Sequence, residues 1–416
     1  MKVVRKYALR GAGGIAVALM SLTSASYAGI SESDCCGDIE QRLAELEATA
    51  ARKGNSRVRL TISGWVNEAI FAWDDGVERN TYIGTNELEQ TRVRFGGEAK
   101  IGVDLTLGYT LEVGANGAGS KTFDQDFDGK SAVVLRKSAW FVNSAKLGKV
   151  TVGRFETATW HLIDNVDTTL TRYVSDFEAA GAAIAAFKTL SNGVTGPKWT
   201  DIMGGFNNAT PGQSGIRNVV RYDSPEFVGF TASVSWGEDD EWATAFRYKG
   251  ALNEFKVAAS IGYGESTDSA VNAAQCKVGS GDCQWWGLAG SIIHSPTGLF
   301  VIGGYGENKI ELKPADLGKK DSSETWYVQG GIENKWLTIG KTNVFIEYRQ
   351  DDVGLSNAAD SSHLAMWAGG LVQFLDEANL TMYAIYRHYD GDHRSASNTI
   401  DLDPFDTVIL GAKFDY

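Results

Sequence analysis

Residues 103–113 set Val103, Leu105, Leu107, Tyr109, Leu111 and Val113 against Asp104, Thr106, Gly108, Thr110 and Glu112. Such period-two alternation gives a strand one apolar face and one polar face. Residues 254–264 repeat it, with Phe255, Val257, Ala259, Ile261 and Tyr263 against Glu254, Lys256, Ala258, Ser260 and Gly262. At the front, Val58, Leu60, Ile62, Gly64 and Val66 oppose Arg57, Arg59, Thr61 and Ser63. Similar runs fall near 88–99, 133–144, 148–153, 216–223, 228–236, 241–249, 284–294, 298–306, 323–333, 342–350, 362–375, 379–389 and 405–416, about sixteen strands in all. Many approach the roughly 9–11 residues with which a tilted strand crosses a bilayer. The last run carries the alternation to its final residue. Val408, Leu410, Ala412, Phe414 and Tyr416 share one face, and Thr407, Ile409, Gly411, Lys413 and Asp415 the other. A strand of this kind needs a partner along its whole length, because terminal residues are otherwise poorly held.

The connections alternate as well. "KIGVD", "SAKLGK", "SPEFVG", "KGALNE", "HSPTG", "NKWLTIGKT" and "DEAN" are tight or nearly so. Between them fall longer polar segments at 74–87, 115–131, 154–215, 264–283, 307–322, 351–361 and 390–403, with "GEDDE" as the one short member of that set. One rim of turns and one rim of loops is the mark of an outer-membrane barrel. A soluble sandwich also alternates, but one of this size would need several domains with linkers, and the sequence has none. Aromatic residues gather at strand ends (Trp65, Trp73, Trp140, Trp236, Trp242, Trp285, Trp286, Trp326, Trp336, Tyr416), where membrane barrels place aromatic girdles. The fold class expected is therefore all-β, a transmembrane antiparallel β-barrel of about sixteen strands over 57–416.

Two segments precede it. Residues 1–28 carry Lys2, Arg5, Lys6 and Arg10, then a short apolar run, then Ser26 and Ala28 at small-residue cleavage positions. That order makes a secretory signal peptide. Residues 29–56 place Ile39, Leu43, Leu46 and Ala50 at heptad spacing. They read as a short periplasmic helical segment, either a small amphipathic helix or a short trimeric coiled coil joining subunits. The chain's net charge is −13, and losing the basic signal makes it more acidic. Nucleic acid, whose affinity comes from phosphate neutralisation, is an unsuitable partner. Export permits disulfides, and Cys276 and Cys283, closing "CKVGSGDC", are expected to pair. Cys35 and Cys36 are vicinal, and intermolecular pairing and two free thiols are both open for them. The five histidines have no metal spacing, and neither GxSxG nor HExxH occurs, so no enzyme is expected.

With these features the chain resembles a general porin of Gram-negative bacteria, of the alphaproteobacterial kind. The resemblance rests on the signal peptide, on "LTISGWVNEAIFAW" and "QTRVRFGGEAKI", on "LGKVTVGRFETAT" running into a long third loop, and on the final "GAKFDY". It implies a homotrimeric channel in the outer-membrane lipid for passive diffusion of ions and small hydrophilic solutes, without cofactor or catalysis, and with both termini periplasmic. It also implies that the closing strand, with Phe414 and Tyr416, is read by the barrel-insertion machinery. A substrate-selective channel is the alternative, and a surface adhesion protein a third reading.

The resemblance further implies that the third loop, 154–215, enters the barrel and sets acids against basic residues of the wall. The loop offers Asp164, Asp167, Asp176 and Glu178, though Glu178 also completes a capping box with Ser175. On the wall, Arg92 and Arg94 oppose Val93 and Phe95. A charge on the lipid face costs roughly 2–4 kcal/mol at mid-depth, so both arginines belong in the lumen. Arg57, Arg59, Arg217, Arg221, Arg349 and Arg387 follow by the same argument, each either at the constriction or in an ion pair away from it. Glu68 falls on the apolar face, marking a bulge, a subunit contact or a shifted register. Asp124, Asp126 and Asp128 resemble the start of a calcium loop, but Leu135 stands where an EF-hand needs Glu. A weak surface calcium site and a solvated acidic loop are the two readings. The acidic total favours cations and the lumen arginines do not, so ion preference stays open.

Overall fold

The alternating runs form strands that close on themselves. In the computed structural model, the described residues are 58–416 apart from 170, 172–183, 205–209, 239, 269–271, 273–274, 277–280, 357 and 396–397. The expected signal peptide and helical segment, Arg57, Cys35, Cys36, Asp176 and Glu178 lie outside them. The strands in chain order are β1 (Arg59–Asp74), β2 (Arg79–Thr85), β3 (Arg92–Ile101), β4 (Leu105–Asn116), β5 (Ala132–Ser144), β6 (Gly148–Glu156), β7 (Lys188–Ser191), β8 (Val194–Lys198), β9 (Ile216–Asp223) and β10 (Phe230–Gly237). They continue as β11 (Glu241–Leu252), β12 (Phe255–Ser266), β13 (Cys283–His294), β14 (Leu299–Ile310), β15 (Ser322–Leu337), β16 (Gly340–Val353), β17 (Ser361–Leu375), β18 (Leu380–Ser395), β19 (Asn398–Asp401) and β20 (Phe405–Asp415).

Among the described residues, sixteen of these strands make one antiparallel barrel in which each pairs with its neighbours in sequence and β20 returns to β1. The short β2 and β19 extend the walls of β1 and β18 beyond it, and β7–β8 is a separate hairpin inside the third loop. β20 lies between β18 and β1 over its whole length, which is the partner its alternation required. Even Tyr416 is tied: its N–H donates to the Gly64 carbonyl at 3.0 Å and its carbonyl accepts from the Gly64 N–H at 3.0 Å. Gly64 is glycine for a reason of space, since a Cβ there would come within 2.2 Å of the Arg92 carbonyl on β3 and 2.8 Å of the Tyr416 hydroxyl.

The two faces separate as the alternation requires. Val408, Leu410, Phe414 and Tyr416 are exposed on the outside of β20, whereas Thr407, Ile409 and Lys413 are buried inside. Aromatic pairs ring the outside near the loop rim, as Trp242–Tyr263, Trp286–Tyr305 and Tyr348–Trp367 with centroids 5.4, 5.1 and 4.4 Å apart. Phe230–Tyr248 and Phe255–His294 do the same near the turn rim, at 4.7 and 4.9 Å. Trp65, Trp73 and Trp285, counted with the girdle above, point inward instead: Trp73 and Trp285 are buried, and the Trp65 N–H reaches lumen carbonyls.

One expected strand starts late. Residues 88–91 do not open the second strand. β1 pairs with β3 only up to Trp65 and with β2 from Glu68 onward, leaving 86–91 opposite Val66 and Asn67. The surplus residues arch into the lumen. Trp65 Nε1 donates to the Gln90 carbonyl at 3.0 Å, and Asn67 Nδ2 to the Glu89 carbonyl at 3.1 Å. Glu68 does face outward, beside this bulge, and accepts from the Thr85 and Thr91 hydroxyls at 2.7 and 3.3 Å.

Replacing Leu410, outward and near the middle of the closing strand, by Arg is expected to destabilise the barrel by about 2–4 kcal/mol. Urea-induced unfolding in lipid vesicles checks this.

Candidate pore constriction

The third loop decides where a passage is left. From Thr157 it crosses the lumen and lies against the inner wall of β12–β17, where inward side chains hold its carbonyls. Tyr327 OH donates to Ile163 O at 2.9 Å and Asn343 Nδ2 to Thr169 O at 3.0 Å, and the Ser260, Ser291 and Ser362 hydroxyls donate to Leu162, Val166 and Ile202. Ile163, Val166, Phe187, Trp199 and Ile202 then pack with wall residues such as Ile293, Ile302, Phe345, Met366 and Ile385 in one apolar core. Glycines make the bed. A Cβ on Gly306 would sit 1.8 Å from the Pro211 carbonyl, and one on Gly262 2.9 Å from Leu162. The loop's β7–β8 hairpin turns on Asn192 and Gly193, both with positive φ, as a tight hairpin turn needs. Its N–H groups donate to the Asp403 carboxylate at 3.0 and 2.8 Å, pinning it to the last loop. At the return limb the Cys276–Cys283 disulfide forms as expected, and the Gln275 amide beside it donates to Gln213 O.

The other half of the lumen keeps a cavity of about 450 Å³. The wall supplies Trp65, Arg92, Arg94, Arg136, Lys137, Phe141, Lys149, Phe155 and Glu156; the bulge supplies Glu87, Leu88 and Glu89; the loop supplies Trp160, His161 and Asn165. Its basic residues are held in two groups. In the first, Glu112 is fully buried and accepts from Arg92 Nη1 at 3.3 Å, Arg94 Nε at 2.8 Å and Arg136 Nε at 2.9 Å. Arg92 also reaches Glu89 at 3.4 Å. In the second, Glu156 pairs with Lys137 and lies 3.7 Å from Arg221, which in turn binds Asp223 at 2.7 Å. Aromatic faces back the cations: Arg92 stands 4.4 Å from the Trp65 ring centre and Lys149 4.1 Å from that of Phe141.

Arg136 and Lys137 share this lumen because of a second bulge. Glu112 pairs with Lys137 and Val113 with Leu135, so Arg136 is an extra residue in the ladder. A bulge of this kind re-aims a side chain. Arg136, Lys137, Lys149, Glu112 and Glu156 were not among the residues singled out from the sequence. The signal was present, since strict alternation would have set Leu135 and Lys137 on one face.

The expected site residues divide. Arg92 and Arg94 line the cavity. Arg221 braces its wall and donates to the Thr157 carbonyl at 3.0 Å, where the loop starts. Arg217 binds Glu241 at 3.1 Å near the loop's return. Arg59 is exposed and pairs in register with Glu98 toward the turn rim, away from the cavity. Arg349 and Arg387 are buried in the wall, Arg349 on Asp351 at 2.9 Å. Asp164 is buried against His161 Nδ1 at 2.5 Å, and Asp167 accepts from the Thr169 N–H and hydroxyl at 2.6 and 2.7 Å. The described acids that line the cavity are thus Glu87, Glu89 and Glu156, from the bulge and the wall, in place of the loop acids. The reason is local: each of those two loop acids serves a turn of the loop itself. Among the described residues no three acid, His or Cys groups converge to hold a metal, Asp124, Asp126 and Asp128 included. The Asp124 carboxylate instead accepts the Asp126 N–H at 2.9 Å.

A family model of Gram-negative porins matches residues 16–394. The chain is a Gram-negative porin. Solved structures agree on the fold. The anion-selective porin from Comamonas acidovorans is 14% identical with a TM-score of 0.56, covering 86% of this chain and 100% of that one. OmpT of Vibrio cholerae, an outer-membrane protein in a trimer form, is 12% identical with a TM-score of 0.53, over 87% and 100%. OmpF of Salmonella typhi, in complex with daunomycin, is 14% identical with a TM-score of 0.55, over 88% and 99%. No curated protein matches in a sequence search. The porin is an outer-membrane barrel forming a water-filled channel for passive diffusion.

Gly306→Val is expected to lift the return limb off the wall, giving a folded porin with a fluctuating ion current and a third loop more readily cut by trypsin. Gly330→Ala, where a Cβ has nothing nearer than 3.9 Å, is the control and should do neither. Single-channel recording and limited proteolysis measure both.

Proposed function

We propose that the porin works as a homotrimer whose constriction is the passage between the basic wall of β3–β6 and the third loop. It conducts ions and small hydrophilic solutes down their gradients and performs no catalysis. The observation that carries this reading is the division of the lumen. A loop fixed by wall hydrogen bonds and an apolar core fills one half, and a charged cavity remains in the other. The short turns and both termini are assigned to the periplasm, and the outward Phe414 and Tyr416 to recognition by the insertion machinery. The trimer is supported by the trimer form of the similar Vibrio cholerae protein. The outward Glu68, a carboxylate on an otherwise apolar strip, is suited to a subunit contact rather than to lipid.

The test is conductance of the full chain, refolded in detergent and added to a planar bilayer. Steps in threes, together with a heat-labile trimer on gels, are the expected result. Folded and inserted protein that passes no current would overturn the reading.

A further inference from the structure

We propose that the cavity is a binding site for carboxylate solutes that carry a planar ring, and that the pore consequently prefers anions. This rests on the pore reading above and names the solute class for it.

The first ground is charge. Five cationic side chains, Arg92, Arg94, Arg136, Lys137 and Lys149, line the cavity against the three carboxylates of Glu87, Glu89 and Glu156. Glu112 adds a fourth acid from behind the wall, but it has no exposed surface and is enclosed by three guanidinium groups. A solute in the passage therefore meets an excess of positive charge. The opposite side of the passage is formed by Trp160, His161 and Asn165 of the loop, which add no carboxylate to the lining. An excess of one sign of charge along a cleft focuses the field into the aqueous path.

The second ground is the placing of cations against rings. Lys149 stands 4.1 Å from the centre of Phe141, and Lys137 stands 5.1 Å from Trp160 and 5.6 Å from Phe155. Across the cavity's other lining, Arg92 stands 4.4 Å from Trp65. A guanidinium fork or an ammonium group takes a carboxylate by charge-assisted hydrogen bonds, while a ring beside it offers a face or edge to a second ring. In benzoate the carboxylate is attached directly to its ring, so both features are presented a few ångströms apart, as the cavity presents their complements. A plain inorganic anion uses only the first.

The third ground removes an objection, the acidic total of the chain. Many of its carboxylates lie on the outer surface near the loop rim. Glu307 accepts from Trp286 Nε1 at 2.9 Å, Asp352 binds His363 at 2.7 Å, and Asp406 accepts from Tyr386 OH at 2.6 Å. These groups face away from the lumen and leave its charge to the wall.

The experiment uses the full chain in a planar bilayer with a KCl gradient, then with sodium benzoate, sodium acetate or benzylammonium chloride added. The expected results are a zero-current potential of the anion-preferring sign, and a saturable loss of chloride current with benzoate at about tenfold lower concentration than with acetate, the increment a ring–ring contact supplies. Benzylammonium should not block. Lys149→Gln should weaken the benzoate block and shift the zero-current potential toward cations, and Phe141→Leu, which should weaken the block by benzoate but not that by acetate, repeats the test should the first variant fail to fold. Cation preference, or equal block by benzoate and acetate in the unmodified porin, would overturn the site while leaving the pore. Absence of any current from inserted protein would instead strike the pore reading itself.

Discussion

In hydrocarbon no water is present to satisfy an unpaired backbone N–H or carbonyl, so a sheet in a membrane must close. The pairing of β1 with β20 is where this chain meets that requirement. It explains why alternation persists to Tyr416 and why that residue exchanges two backbone hydrogen bonds with Gly64. Closure also defines an inside, and every later feature follows from what the inside must hold.

The inside is not a uniform water-filled tube. The third loop is a long piece of irregular backbone, and its polar groups need partners as much as those of the wall do. The wall of β12–β17 provides them through inward Ser, Tyr, Asn and Gln side chains that would otherwise read as pore lining. It also provides glycines where the loop lies closest, at Gly262, Gly287 and Gly306. Apolar side chains such as Ile163 and Ile202 then gain a core against Ile302 and Met366. The loop is fixed by the same two forces that fix any buried segment, and the passage is the space these forces leave over.

Much of this was legible beforehand. The strands, the alternating rims and the inward arginines come from periodicity and from the cost of charge in lipid, both of which act residue by residue, and the disulfide from the short loop between Cys276 and Cys283. What escaped has a common cause. The arch at 86–91 and the extra Arg136 are bulges, and a bulge shifts register without changing composition. The capping roles of Asp164 and Asp167 depend on where the loop turns, which the strand pattern does not encode. The net charge does not report the charge of the lumen, because it sums over outward acids such as Glu307 and Asp406.

The buried ion groups connect the stability of this wall with its use. Removing one partner of a buried pair leaves an uncompensated charge and is strongly destabilising, so a fully enclosed Glu112 requires cations around it. Arg92, Arg94 and Arg136 meet that need, and Glu89 is the second acid in contact with them. Three guanidinium groups against two carboxylates leave a positive surplus at the edge of the cavity. Glu87 and Glu156 line the same cavity, but Lys137 and Lys149 join the cationic side and keep the balance of the lining positive. The arrangement that keeps a carboxylate buried in the barrel wall is therefore also the one that makes the passage electropositive.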